Sequence, residues 1–385
     1  GQRFQAQALE GFRFVMKLWQ VAPAAVAQRV VVDYSSPNIA KEMHVGHLRS
    51  TIIGDALARV LELRGHHVVR LNHVGDWGTQ FGMLIGHLKS VFPDYATKPP
   101  PIADLQQFYK DAKKRFDDDE AFKKKSRETV VALQAGDPRC REIWALLCDI
   151  SRKEFARVYK RLGVTLEEVG ESHYNSMIPN AIQLLEKAGL TTDSDGATTV
   201  FLEGHSFPLI VKKSDGGFGY DSTDIAAIHH RLKTLGVDWV VYVTDLGQAE
   251  HFHMCFEAAE KAGWTSSDGR LCHVGFGVVQ GEDGKRFKTR SGETVRLVDL
   301  LDESVTRMEK SLKDRVAEGK CALSPDEVKS AAEKIGYGAV KYADLHQHPA
   351  TNYKFSYDKM LSTSGNTAVY LLFAHARLAS IVRKA

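Results

Sequence analysis

Cysteine is scarce. Cys140, Cys148, Cys255, Cys272 and Cys321 are scattered through 385 residues, with no Cys-x-x-Cys pair and no cysteine/histidine spacing of a zinc module. A disulfide framework and a structural zinc site therefore have little support, and a reducing compartment is the default. No run approaches the ~20 consecutive apolar residues of a membrane span. Neither charge dominates: 51 Lys and Arg against 48 Asp and Glu leave +3. Net charge thus gives no argument for a nucleic-acid partner, although a local basic face remains compatible with it. There is no charged-then-apolar leader at Gly1, and Ala385 falls inside an apolar-periodic run, so the expectation is a piece of a longer protein. What is present is ordinary globular composition, 43% hydrophobic and 26% charged, which removes disordered, collagen-like and coiled-coil readings. The length accommodates two or three domains at about 100–200 residues each.

Residues 1–29 read as a helical stub and a Pro/Ala linker. Val30-Val31-Val32-Asp33-Tyr34 is a short apolar run of the kind buried in a parallel sheet. Leu48, Ile52, Ile53, Ala56, Leu57, Val60 and Leu61 keep helical spacing up to a capping Gly65, and Val68 to Leu71 is a second strand. Strand, helix, strand in about 40 residues is a βαβ unit. Residues 90–200 are charged and mainly helical in pattern, read as an insertion; the charge run from Lys110 to Lys125 reads as a solvated helical face. The α/β rhythm resumes with Leu209 to Lys212, a helix carrying Ile225, Ile228, Leu232 and Leu235, and strands at Trp239 to Val243 and His273 to Val279. After Leu297 the pattern is helical, with a capping box at Ser324-Pro325-Asp326-Glu327. There is no internal repeat. The expected division is therefore 1–29, 30–89 and 201–295 as two halves of one sheet domain around the 90–200 insertion, and 296–385 as a helical module.

The chemistry concentrates between Ser35 and Ser50. A strand ends, a polar loop crosses the sheet edge, and two histidines three apart, His44 and His47, open a helix. Ligands of open α/β sheets bind at C-terminal strand ends, and a helix N-terminus favours phosphate oxygens. Gly46 would let a ligand approach the backbone, and the two histidines share one face of the first turn. By itself the pair reads equally as two satisfied surface or core histidines.

The longer pattern is specific. His44-Val45-Gly46-His47 resembles the HIGH signature of class I aminoacyl-tRNA synthetases. Ser36-Pro37-Asn38, Lys41 and His73-Val74-Gly75-Asp76-Trp77-Gly78-Thr79-Gln80 resemble the arginyl enzymes in particular, of the eukaryotic cytosolic type. Gly170-Glu171-Ser172, Lys213-Ser214-Asp215-Gly216 with Tyr220 and Asp224, Gln248 with His251, and Phe287-Lys288-Thr289-Arg290-Ser291-Gly292 follow in the same order. Gly336-Tyr337-Gly338, Asn352-Tyr353 and Gly365-Asn366-Thr367-Ala368 continue the resemblance. It spans nearly everything from Val30 onward.

The resemblance implies an α/β fold, a Rossmann-like parallel sheet with a helical insertion and a C-terminal helical module. It implies a cytoplasmic ligase that activates L-arginine with ATP and Mg2+ and charges tRNA(Arg), without zinc and without a membrane. Membership of a larger synthetase complex has no signature here. His44 and His47 would stand by the ATP phosphates and Gly46 would leave room for adenosine. The second class I signature, KMSKS, survives only in degenerate form around Lys288, with Thr289 where a lysine is usual. Lys41 would then join Lys288 in supplying a cation near pyrophosphate. Ser36, Pro37, Asn38, His47, Glu171, Tyr220, Asp224 and Gln248 match the arginine contacts, with Tyr220 and Asp224 as the guanidinium pair, since a carboxylate takes that planar cation in two parallel hydrogen bonds. His251 and Phe276 match the adenine region. Asp76, Trp77 and Gln80 are expected to buttress the HIGH helix.

A nucleotidyltransferase shares the HxGH chemistry but has no use for Tyr220, Asp224 and Gln248. A catalytically weak or non-catalytic fragment of the same family is the second alternative, and intact Lys41, His44, His47 and Asp224 argue against decay. The family also has an N-terminal domain and a helical anticodon-binding domain, and neither is expected to be complete here.

Overall fold

The computed structural model describes residues 24–95, 105–265, 269–281, 283–285, 287 and 295–384. β1 (Arg29–Asp33) has Val30, Val31 and Val32 fully buried, as a parallel strand covered on both faces requires. A loop leads into α1 (Val45–Leu63), which is followed by Gly65 at φ 89°. β2 (His67–Asn72) then lies parallel to β1 with Val31 opposite Val69, completing the βαβ unit that the apolar spacing predicts.

α2 (Gln80–Val91) is followed by α3 (Leu105–Asp118), α4 (Glu120–Gln134) and α5 (Pro138–Leu162). Most charged residues of the Lys110 to Lys125 run are exposed, as expected, but the run spans two helices: Asp119 stops α3 and caps α4, accepting from the Phe122 amide at 2.9 Å, the usual use of aspartate at a helix start. β3 (Glu167–Glu168), α6 (Glu171–Tyr174) and α7 (Ile178–Lys187) come next, then β4 (Thr191–Ser194), β5 (Ala197–Val200) and β6 (Leu209–Lys212). These last three form a separate antiparallel sheet. Leu209 to Lys212 therefore does not join the parallel sheet, as its alternating burial shows: Leu209 and Val211 are inside, Ile210 and Lys212 outside. One covered face is the mark of such a strand.

α8 (Tyr220–His229) runs on through a π-type turn, His230–Thr234, to β7 (Trp239–Asp245), α9 (Ala249–Lys261), β8 (Arg270–Phe276) and β9 (Val279–Gln280). The strand expected at His273 to Val279 divides at Gly277, whose amide bonds Pro349 O at 2.9 Å and whose carbonyl accepts from Arg49 at 2.8 Å. After α10 (Leu297–Ala317) and α11 (Pro325–Leu345), β10 (Tyr353–Lys354) pairs with β9, followed by α12 (Tyr357–Met360) and α13 (Ala368–Lys384). Ser324 and Glu327 make the expected capping box.

The main sheet is parallel throughout, in the order β3-β2-β1-β7-β8. The order reverses direction between β1 and β7, the switch point at which open α/β sheets bind ligands. One face packs Val30 and Val32 against Leu48 and Ile52 of α1. The opposite face packs Val31, Val240 and Tyr242 against α7, α8 and α9. Among the described residues no helix is long and apolar enough to cross a membrane.

Candidate active site

The switch point opens into a cavity of about 780 Å³, within the usual range for a ligand pocket. Its first wall is the loop after β1, where Ser35 (φ 77°), Ser36 (φ 45°) and Ala40 (φ 62°) sit in the left-handed region. Non-glycine residues occupy that region at a cost and stay there only when surroundings over-determine them. Here they do. The Ser35 amide bonds Ser50 Oγ at 2.8 Å, the Ser36 amide bonds Asn72 Oδ1 at 2.9 Å, and the Ala40 amide bonds Ser151 Oγ at 3.0 Å. Asn38 is held by a backbone bridge to Gly75, where any Cβ would lie 2.3 Å from Asn38 Oδ1.

His44 and His47 form a reciprocal cap on α1. The Gly46 amide donates to His44 Nδ1 and the His44 amide donates to His47 Nδ1, each at 3.0 Å, with ring centroids 4.0 Å apart. With both Nδ1 atoms accepting, the ring proton of each neutral imidazole sits on Nε2, which becomes a donor. Burial, reinforced by His44 and Lys41, pushes His47 down to about 3, so this ring stays neutral. Gly46 has a local reason to be glycine: a Cβ there would meet His44 Cε1 at 2.9 Å. Two residues on, Arg49 is fully buried. It bonds Asp344 at 2.8 Å, Gly277 O at 2.8 Å and Thr351 O at 3.0 Å, and lies 5.9 Å from the Phe276 ring centroid. It ties α1 to the end of β8 and to α11.

Acidic groups gather on the side supplied by α6, α8 and α9. Asp224 Oδ2 lies 2.7 Å from His251 Nε2, and Asp221 Oδ1 lies 3.3 Å from His251 Nδ1. Burial opposes charge on His251, but hydrogen bonds to Asp221 and Asp224, with Cys255 adding, raise it to about 12. Glu171 at the start of α6 is raised to about 8 by burial, with the Asp224 and Asp76 charges adding. At neutral pH this carboxyl is therefore mostly protonated. Tyr220, one turn before Asp224, and Gln248, one turn before His251, complete this wall.

Ser36, Asn38, His44, Gly46, His47, Glu171, Tyr220, Asp224, Gln248, His251 and Phe276 all line this one cavity. Pro37 does not; its carbonyl instead accepts from the Gly75 amide at 3.0 Å and braces the loop. Lys41 stands exposed outside the walls, 5.4 Å from the Tyr109 ring centroid. Lys288 lies outside the described residues. His251 is engaged by carboxylates on both ring nitrogens, whereas Phe276 sits against Arg49. Asp76 braces Glu171's helix rather than the HIGH helix, accepting from the Ser172 amide at 2.8 Å and from Ser172 Oγ at 2.6 Å. Trp77 meets Trp144 edge-on and Gln80 bonds the Trp77 carbonyl.

Several lining residues escape a reading by motif, among them Asp33, Asp221 and Tyr242. Asp33 ends β1 and is paired at 2.8 Å with Arg231, a fully buried residue on the π-type turn that also lies 3.2 Å from His73 Nδ1. A strand ending in aspartate at the sheet's switch point is a usable signal for Asp33. Arg231 gives none, because a charged side chain is ordinarily read as exposed wherever it falls on a helix.

The family model for the catalytic domain of class I (R) tRNA synthetases matches residues 15–357. The chain is 57% identical over 368 residues to the chloroplastic/mitochondrial arginine–tRNA ligase of Arabidopsis thaliana, covering 94% of this chain and 57% of that protein. It is 58% identical over 370 residues to the arginine–tRNA ligase of Parasynechococcus marenigrum, covering 93% and 62%. The cytoplasmic Arabidopsis ligase is 55% identical, covering 94% and 62%. The chain thus spans less than two thirds of the length of these relatives. The crystal structure of the Plasmodium falciparum arginyl-tRNA synthetase superposes with a TM-score of 0.84 at 40% identity, covering 94% of this chain and 60% of that one. The chain belongs to the arginyl-tRNA synthetases of class I and carries their catalytic domain.

Proposed function

We propose that this chain activates L-arginine with ATP to arginyl-adenylate and passes the arginyl group to tRNA(Arg). The observation that carries the reading is one cavity holding both the paired histidines at a helix N-terminus and a wall of carboxylates able to take a guanidinium. The arginine carboxylate attacks the α-phosphorus in line and pyrophosphate leaves, so no covalent enzyme intermediate forms and catalysis is positioning and charge stabilisation. His44 and His47 present Nε2–H donors to phosphate oxygens, with Gly46 and Phe276 on the adenosine side. Lys41 and Lys288 supply cationic charge towards pyrophosphate. Asp224 takes the guanidinium beside Tyr220, and Ser36, Asn38, Glu171 and Gln248 orient the rest of arginine. Mg2+ enters with the nucleotide as part of the substrate.

The eukaryotic cytosolic type and a cytoplasmic location belong to this proposal, since the relatives include cytoplasmic, chloroplastic/mitochondrial and cyanobacterial enzymes. So does the division into 30–89 and 201–295 around the 90–200 insertion, with 296–385 as the helical module. The test is a thermal-shift panel with non-hydrolysable aminoacyl-sulfamoyl-adenosines of arginine, lysine, glutamine and leucine, which bind as intermediate mimics and stabilise only the folded state. A large shift with the arginyl compound alone is expected. Equal shifts with all four, or none, would overturn the proposal.

A further inference from the structure

The carboxylate assigned to the guanidinium does not stand alone. Asp224 and Asp221 lie one turn apart on α8, both facing the imidazole of His251 on α9, which lies 2.7 Å from Asp224 Oδ2 and 3.3 Å from Asp221 Oδ1. Asp221 is fixed from behind, its Oδ2 accepting from the Ile210 amide of β6 at 2.7 Å. His251 is fixed by its place on α9, with Cys255 Sγ 3.8 Å away on the next turn. A chain of contacts therefore runs from β6 through Asp221 and His251 to Asp224.

We propose that His251 is a positioning residue for arginine recognition, holding the Asp224 carboxylate in the orientation that receives the guanidinium and cancelling the charge of Asp221. This rests on Asp224 being the guanidinium ligand, as proposed above. A bidentate pair needs the carboxylate plane fixed. A carboxylate offers about four acceptor positions, and one bond from His251 leaves enough for a forked cation. The charge count agrees. Asp33 is paired with Arg231, and Glu171 is held mostly neutral by its burial. Asp245 at the end of β7 also lines the cavity, but on the α8 and α9 wall itself Asp221 and Asp224 with one imidazolium between them leave a single net negative charge for one guanidinium. Without that imidazolium, two adjacent carboxylates would attract any cation with less regard for shape. The adenine-side role expected for His251 makes the opposite demand, a ring nitrogen free for a base, and both nitrogens here are engaged.

The experiment measures dissociation constants for L-arginine and for ATP by calorimetry on the unaltered chain, His251→Gln, His251→Leu, Asp224→Asn and the double variant His251→Leu/Asp224→Asn. Removing a charge-assisted hydrogen bond predicts an arginine affinity about 10- to 100-fold weaker in His251→Leu. ATP affinity should stay within about twofold, and His251→Gln, which keeps one N–H for Asp224, should recover part of the loss. The deciding result is non-additivity: the double variant binds arginine no worse than Asp224→Asn alone, because His251 acts through Asp224. Additive losses, an unchanged arginine affinity in His251→Leu, or a loss falling on ATP would each overturn the inference. If Asp224→Asn itself leaves arginine binding intact, the assignment of Asp224 falls and this inference falls with it.

Discussion

With L-arginine seated beside Glu171 as proposed, its binding is expected to release protons. The Glu171 carboxyl is raised to about 8, first by burial and then by the nearby Asp224 and Asp76 charges. At pH 7 it is then about nine-tenths protonated. A bound cation beside it favours the ionised form and lowers a carboxyl by roughly 1–3 pH units. Binding at pH 7 should therefore release about 0.4 to 0.9 of a proton, and the arginine association constant should rise about 10- to 1000-fold in all with increasing pH, levelling above about 9. Of the cavity's histidines, His47 at about 3 and His251 at about 12 keep a constant charge across this window, and burial holds His73 below its ordinary value. The assay is calorimetry of L-arginine in buffers of different ionisation enthalpy at matched pH, with Glu171→Gln as control. Equal heats in all buffers together with a flat affinity profile would refute the reasoning, as would a profile unchanged in Glu171→Gln. The same group bears on folding. The folded form holds its proton above the ordinary value, so below about 4 the group contributes no penalty. As pH rises to about 8 the free chain loses stability through it, at up to about 1.4 kcal/mol per pH unit.

On the role proposed for Lys41 at the pyrophosphate, Lys41→Ala should lower the rate of arginine activation about 10- to 100-fold with arginine affinity unchanged, since the lysine stands outside the cavity walls; unchanged turnover in a pyrophosphate-exchange assay would remove it from the mechanism. Asp344→Ala should cost about 3–5 kcal/mol in denaturant unfolding, since it strands the fully buried Arg49 guanidinium. Gly82→Ala should cost about 1–3 kcal/mol in the same measurement, because a Cβ there would lie 2.1 Å from the Ser126 carbonyl oxygen on α4; a variant as stable as the parent would mean that α2 and α4 slide apart without loss.

The sequence by itself determined the class of fold and the place of the site. Val30 to Asp33 and Val68 to Leu71 with a helix between them can bury their apolar runs only in a parallel sheet. The polar loop after the first strand leads into a helix N-terminus, where phosphate is favoured. These are local signals, carried by spacing along the chain. Tertiary structure decided the rest, because it depends on residues far apart in sequence. Nothing local says that Asp76 would bond Ser172, 96 positions later, or that Arg231 on a π-type turn would pair with Asp33. Leu209 to Lys212 reads as a strand, but its sheet is fixed by the neighbour it finds, β5, and not by its own four residues. The pairing of His251 with Asp224 and Asp221 brings α8 and α9 side by side. Only that packing tells whether the histidine faces a base or a carboxylate.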